Sequence, residues 1–257
     1  MGEEQIMTSY VSGPIWQQME DALNSTHDEG REVQMWWRDD DAISATPALD
    51  RLLSLRETLA LPLLLAVIPA YTNEKLFLRL KTEDEVWLGT HGFAHENHAP
   101  ASEKKQELGP HRPLEAVLLE LSEGREKLAR EAGDQLLPVL IPPWNRIDAA
   151  LIPALPTAGL TCLSTYGSPP AERGAVKWLN THLDPIDWRG SRSLADPEAL
   201  IHQFCGYIAK GEQPIGFLTH HLVHDEAIWA FTEDFLARLA AHPFVSWPPV
   251  PVLAGLA

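Results

Sequence analysis

The sequence predicts an α/β domain built on parallel strands. Short apolar runs, seven in all, alternate with amphipathic segments along most of the chain, and that alternation is what successive βαβ units produce. One run, Pro62 to Ile68, is apolar throughout and begins with a proline, with Pro69 following it, which suits a strand buried on both faces. Polar residues also gather just after four of the runs: Asp39 to Asp41, His91 to His98, Trp144 to Arg146, and His220 to Asp225. In a barrel of parallel strands these four clusters would converge on one mouth.

Taken in order, Gly13 to Asn24 reads as a lead-in helix that the polar stretch Ser25 to Gly30 breaks. Glu32 to Trp37 is the first strand and ends in the aspartates. Thr46 then caps a helix with Pro47 at its first position, running to about Leu59. Pro62 to Ile68 is the second strand, Glu74 to Lys81 a short helix, and Glu85 to Thr90 a third strand that runs into His91. Pro113 to Ala132 is the clearest helix: Leu114, Val117, Leu118, Leu121 and Leu128 recur at helical spacing, and Gly133 stops it. Leu136 to Ile141 is the fourth strand, Asp148 to Ala158 is helical, and Leu160 to Thr165 and Val176 to Thr181 are strands five and six. Pro197 to Lys210 is a helix, Pro214 to Thr219 the seventh strand, and Glu226 to Ala241 the last helix. The tail is proline-rich and holds Trp247.

At 257 residues, with no internal repeat or linker, the chain is expected to form one domain over 1–257, its core from about 32 to 241. The formal net charge is −16, from 36 acidic against 20 basic residues; this argues against nucleic-acid binding and against docking on anionic membranes. Cys162 and Cys205 are too far apart for zinc-ligand spacing or a disulfide framework and read as core thiols. Residues Met1 to Tyr10 show no secretory pattern, and no stretch approaches the ~20 apolar residues of a membrane span, so a cytoplasmic protein is expected.

Three adjacent carboxylates, Asp39 to Asp41, repel one another at about 1 kcal/mol per pair even when screened. They read either as a metal site at a strand end or as a solvated acidic loop or helix cap. His91 and His95 are four residues apart, so on a helical turn they would share one face and suit two nitrogen ligands of one ion; His98 adds a further candidate. Two histidines and a carboxylate leave a coordination position open, which is a catalytic pattern. Of His220 and His221, alternation along a strand predicts that one alone enters the site, where an imidazole acts as general acid.

Together these motifs resemble those of the polysaccharide deacetylases, the NodB-like carbohydrate esterases of family four. Arg38-Asp39-Asp40-Asp41-Ala42 is similar to the first family motif, with Ala42 in the place of its glycine. That alignment implies Asp40 as catalytic base and Asp41 as metal ligand; a register one residue earlier would name Asp39 and Asp40. His91-Gly92-Phe93-Ala94-His95 resembles the second motif and implies the two metal histidines. Ile141-Pro142-Pro143-Trp144 resembles the third but lacks its arginine, whose task of orienting the base would fall to Arg146 or Arg38. Asp184-Pro185-Ile186-Asp187-Trp188 resembles the fourth, and Leu218-Thr219-His220 the fifth, implying His220 as general acid.

The resemblance covers roughly Val33 to Asp225. It implies a distorted (β/α)7 barrel and zinc or another divalent metal. It also implies removal of an acyl group from an N-acylated amino sugar, a small molecule or short glycan, with Trp144, Arg146, Trp188 and Arg38 at the substrate. Two other readings use the same residues: an allantoinase-like amidohydrolase on a non-sugar C–N bond, and a metal-binding sensor without turnover, which the missing arginine favours. The oligomeric state is left open.

Overall fold

The structure, a computed structural model, describes residues 10–172 and 174–256. The expectation about a leader in the first ten residues therefore falls almost wholly outside it. Helix α1 (Gly13–Asp28) leads into strand β1 (Val33–Ala42), followed by α2 (Pro47–Leu59), β2 (Leu63–Val67), α3 (Glu74–Leu80), β3 (Val86–His91), α4 (Leu114–Ala132) and β4 (Leu136–Ile141). The second half holds the two-residue strands β5 (Cys162–Leu163) and β6 (Lys177–Trp178), then α5 (Pro197–Ala209), β7 (Ile215–Thr219), α6 (Glu226–Ala241), β8 (Val245–Ser246) and α7 (Val250–Leu253).

Every strand pairing is parallel. The sheet runs β6-β5-β4-β3-β2-β1-β7, with β8 added beside β1. The sheet curls, and the segment after β6 crosses to β7, where Leu183 bridges Phe217 and the Leu218 amide donates to the Leu183 carbonyl at 2.8 Å. Gly216 lies at this seam. A Cβ there would sit 2.4 Å from Trp36 Nε1 and 2.7 Å from the Asn180 carbonyl, so the close approach of the two segments requires glycine. The result is a distorted (β/α)7 barrel whose distortion is concentrated at β5 and β6.

Alternation along the strands divides the core. Met35, Trp37, Leu63, Leu65 and Val67 face outward and pack with α1, α2, α5 and α6; Trp36, Leu64, Ala66, Val139 and Ile141 face the barrel interior, where Val250 and Leu253 of α7 join them. No helix among the described residues is long and apolar enough to cross a membrane.

The departures from expectation are local. Helix α1 continues to Asp28 through the polar stretch expected to break it, because Thr26 is buried and its hydroxyl donates to the Ala22 carbonyl. Strand β1 runs past Trp37 to Ala42, so the aspartates belong to the strand itself. Residues 152–158 form a 3-10 turn in place of an α-helix, consistent with Pro153 and Pro156 within it. The tail carries β8 and α7, which its prolines concealed. Thr46 and Pro47 cap α2 as expected, the Thr46 side chain accepting from the Leu49 amide.

Candidate active site

Asp39, Asp40 and Asp41 leave β1 in different directions. Arg38 and Asp40 continue the inward row begun by Trp36, whereas Asp39 continues the outward row of Trp37. The pairing of β1 with β2 slips between Asp39 and Ala42, and Asp41 takes a left-handed φ of 72°. A bulge of this kind re-aims the residue that carries it, so Asp40 and Asp41, although adjacent, line the same cavity.

Asp41 Oδ1 stands 3.1 Å from His91 Nε2 and 3.5 Å from His95 Nε2. His91 ends β3, and its Nδ1 lies 2.9 Å from the Ile141 carbonyl of neighbouring β4. A carbonyl only accepts, so Nδ1 carries the hydrogen and, in the neutral ring, Nε2 presents its lone pair to the carboxylate. Two acceptors do not meet at that distance without a proton or a cation between them. Potential ligand atoms of Asp41, His91 and His95 all lie within 4.8 Å of one another. Two imidazoles and a carboxylate, one ring already oriented by a backbone acceptor, fit a divalent ion.

The histidines do not share a helical turn as their spacing suggested. They converge because the loop after β3 folds back with left-handed φ at Gly92 (57°) and His95 (56°). Glu107, buried at 1% exposure, holds that loop: its carboxylate accepts from the Ala94 amide at 2.7 Å and the Phe93 amide at 3.3 Å. A Cβ on Gly92 would sit 1.9 Å from Glu107 Oε2. Glycine at this position and glutamate at 107 thus form a matched pair. His98 lies outside the cluster.

Arg38 is fully buried beneath Asp40. Its Nε lies 2.9 Å from Asp40 Oδ1 and one terminal nitrogen donates to Oδ2 at 3.0 Å, a two-point grip on the carboxylate. The remaining donors go to Ser164 Oγ at 2.7 Å, Asn145 Oδ1 at 2.7 Å and the Thr165 carbonyl at 3.4 Å. Arg38 is therefore absent from the cavity lining, where the resemblance implied a substrate contact, and of the two candidates for the missing motif-three arginine it is the one at the carboxylate. Arg146 lines the cavity instead, tied to the Lys105 carbonyl at 2.7 Å.

His220 Nε2 stands 3.9 Å from Asp40 Oδ2, and Trp188 meets the His220 ring edge-on at 4.7 Å between centroids. Trp188 Nε1 donates to Asp184 at 2.7 Å. Trp144 lies 4.4 Å from the His95 ring. His221 points away from the cavity and pairs with Asp39, which also accepts from Thr219 Oγ1 at 2.7 Å and the His221 amide at 3.0 Å.

Burial works against the charge of Asp41, but hydrogen bonding and charge from His91 hold its carboxyl well below the usual range. His95 is pushed down by burial and by His91. Asp184 and Glu107 are both pushed up by burial. Asp41, His95 and Asp184 line a cavity of about 680 Å³, while Glu107 sits behind the loop that carries His95. Of the seven non-glycine residues with left-handed φ among the described residues, five line the cavity: Asp41, His95, Trp144, Asn145 and Arg192. Such backbone costs on the order of 1–3 kcal/mol per residue and concentrates at functional sites.

Sequence reasoning missed Glu107, Asn145 and Asp184 as parts of this assembly. Asp184 was visible as the first residue of the fourth motif, and Asn145 lay within the Trp144 to Arg146 cluster, although its contact with Arg38 was not legible; Glu107 carried no signal, since it depends on a contact with a distant segment.

No protein-family profile and no curated protein matches the chain. Solved structures do. A Mycobacterium smegmatis protein assigned to the polysaccharide deacetylases aligns over 88% of this chain and 90% of its own, at 16% identity and a TM-score of 0.64. The peptidoglycan deacetylase PdaC from Bacillus subtilis aligns over 88% and 91%, at 13% identity and 0.56. A family 4 acetyl xylan esterase from Clostridium thermocellum, solved with a cobalt ion, aligns over 87% and 91%, at 13% identity and 0.56. At these identities the likeness speaks for the fold, and the fold of this chain is that of the polysaccharide deacetylases and family 4 carbohydrate esterases.

Proposed function

We propose that this chain is a divergent polysaccharide-deacetylase relative, a divalent-metal hydrolase that removes the acyl group from an N-acylated amino sugar or similar small substrate in the cytoplasm. The observation that carries the reading is the assembly of three groups on one cavity: the Asp41–His91–His95 donor set, the Arg38-gripped Asp40, and His220 beside it.

Asp41, His91 and His95 would hold the ion, zinc or another divalent metal, whose chemistry there is to polarise the acyl carbonyl and acidify a water. Asp40 takes the proton from the attacking water. Its oxygens are fixed by Arg38. His220 donates a proton to the departing nitrogen, which leaves poorly as an anion. Trp144 and Trp188 offer apolar faces against a sugar ring. The grip of Arg38 on Asp40 supports the hydrolase reading over a non-catalytic sensor, since Asp40 has an arginine from another place in the chain.

The test is metal analysis of the purified protein together with turnover on N-acetylated sugars, ureides and formamides. One divalent ion per chain and release of acetate are expected. Turnover of ureides alone would move the chain to the non-sugar C–N hydrolases. Full metal content in a His91→Ala/His95→Ala variant would overturn the ligand set.

A further inference from the structure

The cavity is ringed by positive charge in a strongly acidic chain. Lys105, Arg146, Arg189 and Arg192 all line it, while the chain as a whole carries a formal charge of −16. None of the four has a carboxylate partner among the described residues. Elsewhere among those residues, Arg31, Arg51, Arg79, Arg112 and Arg238 each hold one, whereas Arg56, Arg125, Arg130 and the lysines outside the cavity do not. What sets these four apart is their place: Lys105, Arg146, Arg189 and Arg192 all line one concave surface of a chain that carries 36 carboxylates.

The carboxylates of the cavity have other partners. Asp40 is engaged by Arg38 from below, Asp41 faces His91 and His95, and Asp184 accepts from Trp188 Nε1 and the Ile186 amide. A divalent ion on Asp41 would make the cavity more positive still. The cations are also placed around the two tryptophan walls: Lys105 Nζ lies 5.9 Å from the Trp144 ring centre and Arg192 Cζ 5.0 Å from that of Trp188. Arg189 follows Trp188 directly in the chain.

Resting on the hydrolase reading above, we infer that the natural substrate is anionic, with a phosphate or carboxylate group received by Lys105, Arg146, Arg189 and Arg192 while its acyl group faces Asp40 and His220. A neutral glycan needs stacking faces and hydroxyl partners but no such ring of cations. A chain this acidic repels anions at long range, so an anionic substrate requires a local reversal of sign at the mouth of the site.

The test is calorimetric binding to the chelator-treated protein, which excludes anions ligating a metal. The probes are N-acetylglucosamine, its 1-phosphate, N-acetylmuramic acid and inorganic phosphate. At low salt the phosphorylated or carboxylated sugar should bind at least about 10-fold tighter than the neutral one. That preference should shrink with added salt and vanish in Arg189→Gln/Arg192→Gln or Lys105→Gln/Arg146→Gln. The two charged sugars separate phosphate from carboxylate as the group received.

Equal affinity for neutral and charged sugars, or a preference that survives both double variants, would overturn the inference. So would failure of every anion to bind. Inorganic phosphate bound in an arginine-dependent way, with no sugar bound, would uphold the anion site and sink the amino-sugar reading. Turnover of the metal-loaded enzyme on the same sugars reads the hydrolase assignment separately.

Discussion

Asp39 and Asp41 lie two residues apart on β1, and each meets histidine, yet the two neighbourhoods differ in kind. Around Asp39 every oxygen is engaged: His221, Thr219 and the His221 amide close on it, and both Asp39 and His221 are almost wholly buried. Around Asp41 the same residue types stand at looser distances, 3.1 and 3.5 Å, on an open cavity. Burial lifts the pKa of Asp39, but the charge and hydrogen bond of His221 pull it below the usual value; the same contact raises His221. Asp39 and His221 thus form a closed ion pair inside the fold. Residue type and spacing do not distinguish a structural Asp–His contact from a metal-binding one. Completeness of the partner set and access to a cavity do.

The sharpest way to break this comparison is to remove each aspartate in turn. Asp40→Asn is expected to keep the metal and lose about 10²–10⁴-fold in turnover, the usual contribution of a general base. Asp41→Asn should lose the metal. Asp39→Asn should keep metal yet lower stability by about 3–5 kcal/mol, because it leaves His221 buried without its counter-charge. Metal content, turnover and urea unfolding measured on the three proteins decide the matter. Metal loss in Asp40→Asn, together with loss of turnover but not of stability in Asp39→Asn, would shift the motif by one residue.

The two histidines after β7 extend the comparison. His220→Ala should impair amide hydrolysis far more than hydrolysis of an activated ester, whose leaving group needs no proton. His221→Ala should affect both substrates alike, through stability. Equal losses on both substrates for His220→Ala would point to positioning rather than proton donation.

Much of this arrangement was legible in the sequence because it depends on local pattern. The alternation of apolar runs and helices, the Thr46-Pro47 start of α2 and the His91–His95 spacing are all read over a few residues. What escaped depends on distant contacts. Strand alternation correctly separates Asp39 from Asp40, but on its own it would also turn Asp41 away from the cavity; the bulge that turns it back appears only in the pairing with β2. The grip of Arg38 on Asp40 was one of two options in the sequence, and burial of β1 inside the barrel chooses it. Glu107 was invisible, since nothing near it marks a residue that would reach 13 positions back to the Ala94 amide.

That pairing of Glu107 with Gly92 makes a smaller, local test. Gly92→Ser should reduce metal affinity by about 10–100-fold, the range for disturbing groups that orient ligands. The cause is the clash with Glu107 and a left-handed φ that serine resists. Gly92→Ser/Glu107→Ala should recover part of the loss if the clash dominates. Metal titration of the single and double variants checks it; additive losses would mean that Glu107 supports the loop in a way that no space at Gly92 replaces.

The smallest expected effect concerns His224, which lies behind His220 and touches no part of the cavity. Its Nε2 accepts from the His220 amide at 3.3 Å, and Trp229 meets its ring edge-on at 4.7 Å. Burial lowers its pKa to about 4; the charge of Asp39 and Asp225 opposes this, while His220 and His221 reinforce it. The unfolded chain takes up a proton at His224 near pH 6.5, whereas the folded chain resists until about pH 4. Between those values the unfolded state binds more protons, so the stability owed to neutral His224 is complete above about pH 6.5 and is lost as pH falls toward 4. His224→Gln keeps an acceptor for the His220 amide but does not titrate. Urea midpoints at pH 6.5, 5.5 and 4.5 should therefore fall more steeply for the native chain than for the variant, with the difference between the two narrowing or reversing at the acid end. Parallel curves would show that His224 takes up its proton equally in the folded and unfolded chain, so that burial does not depress it.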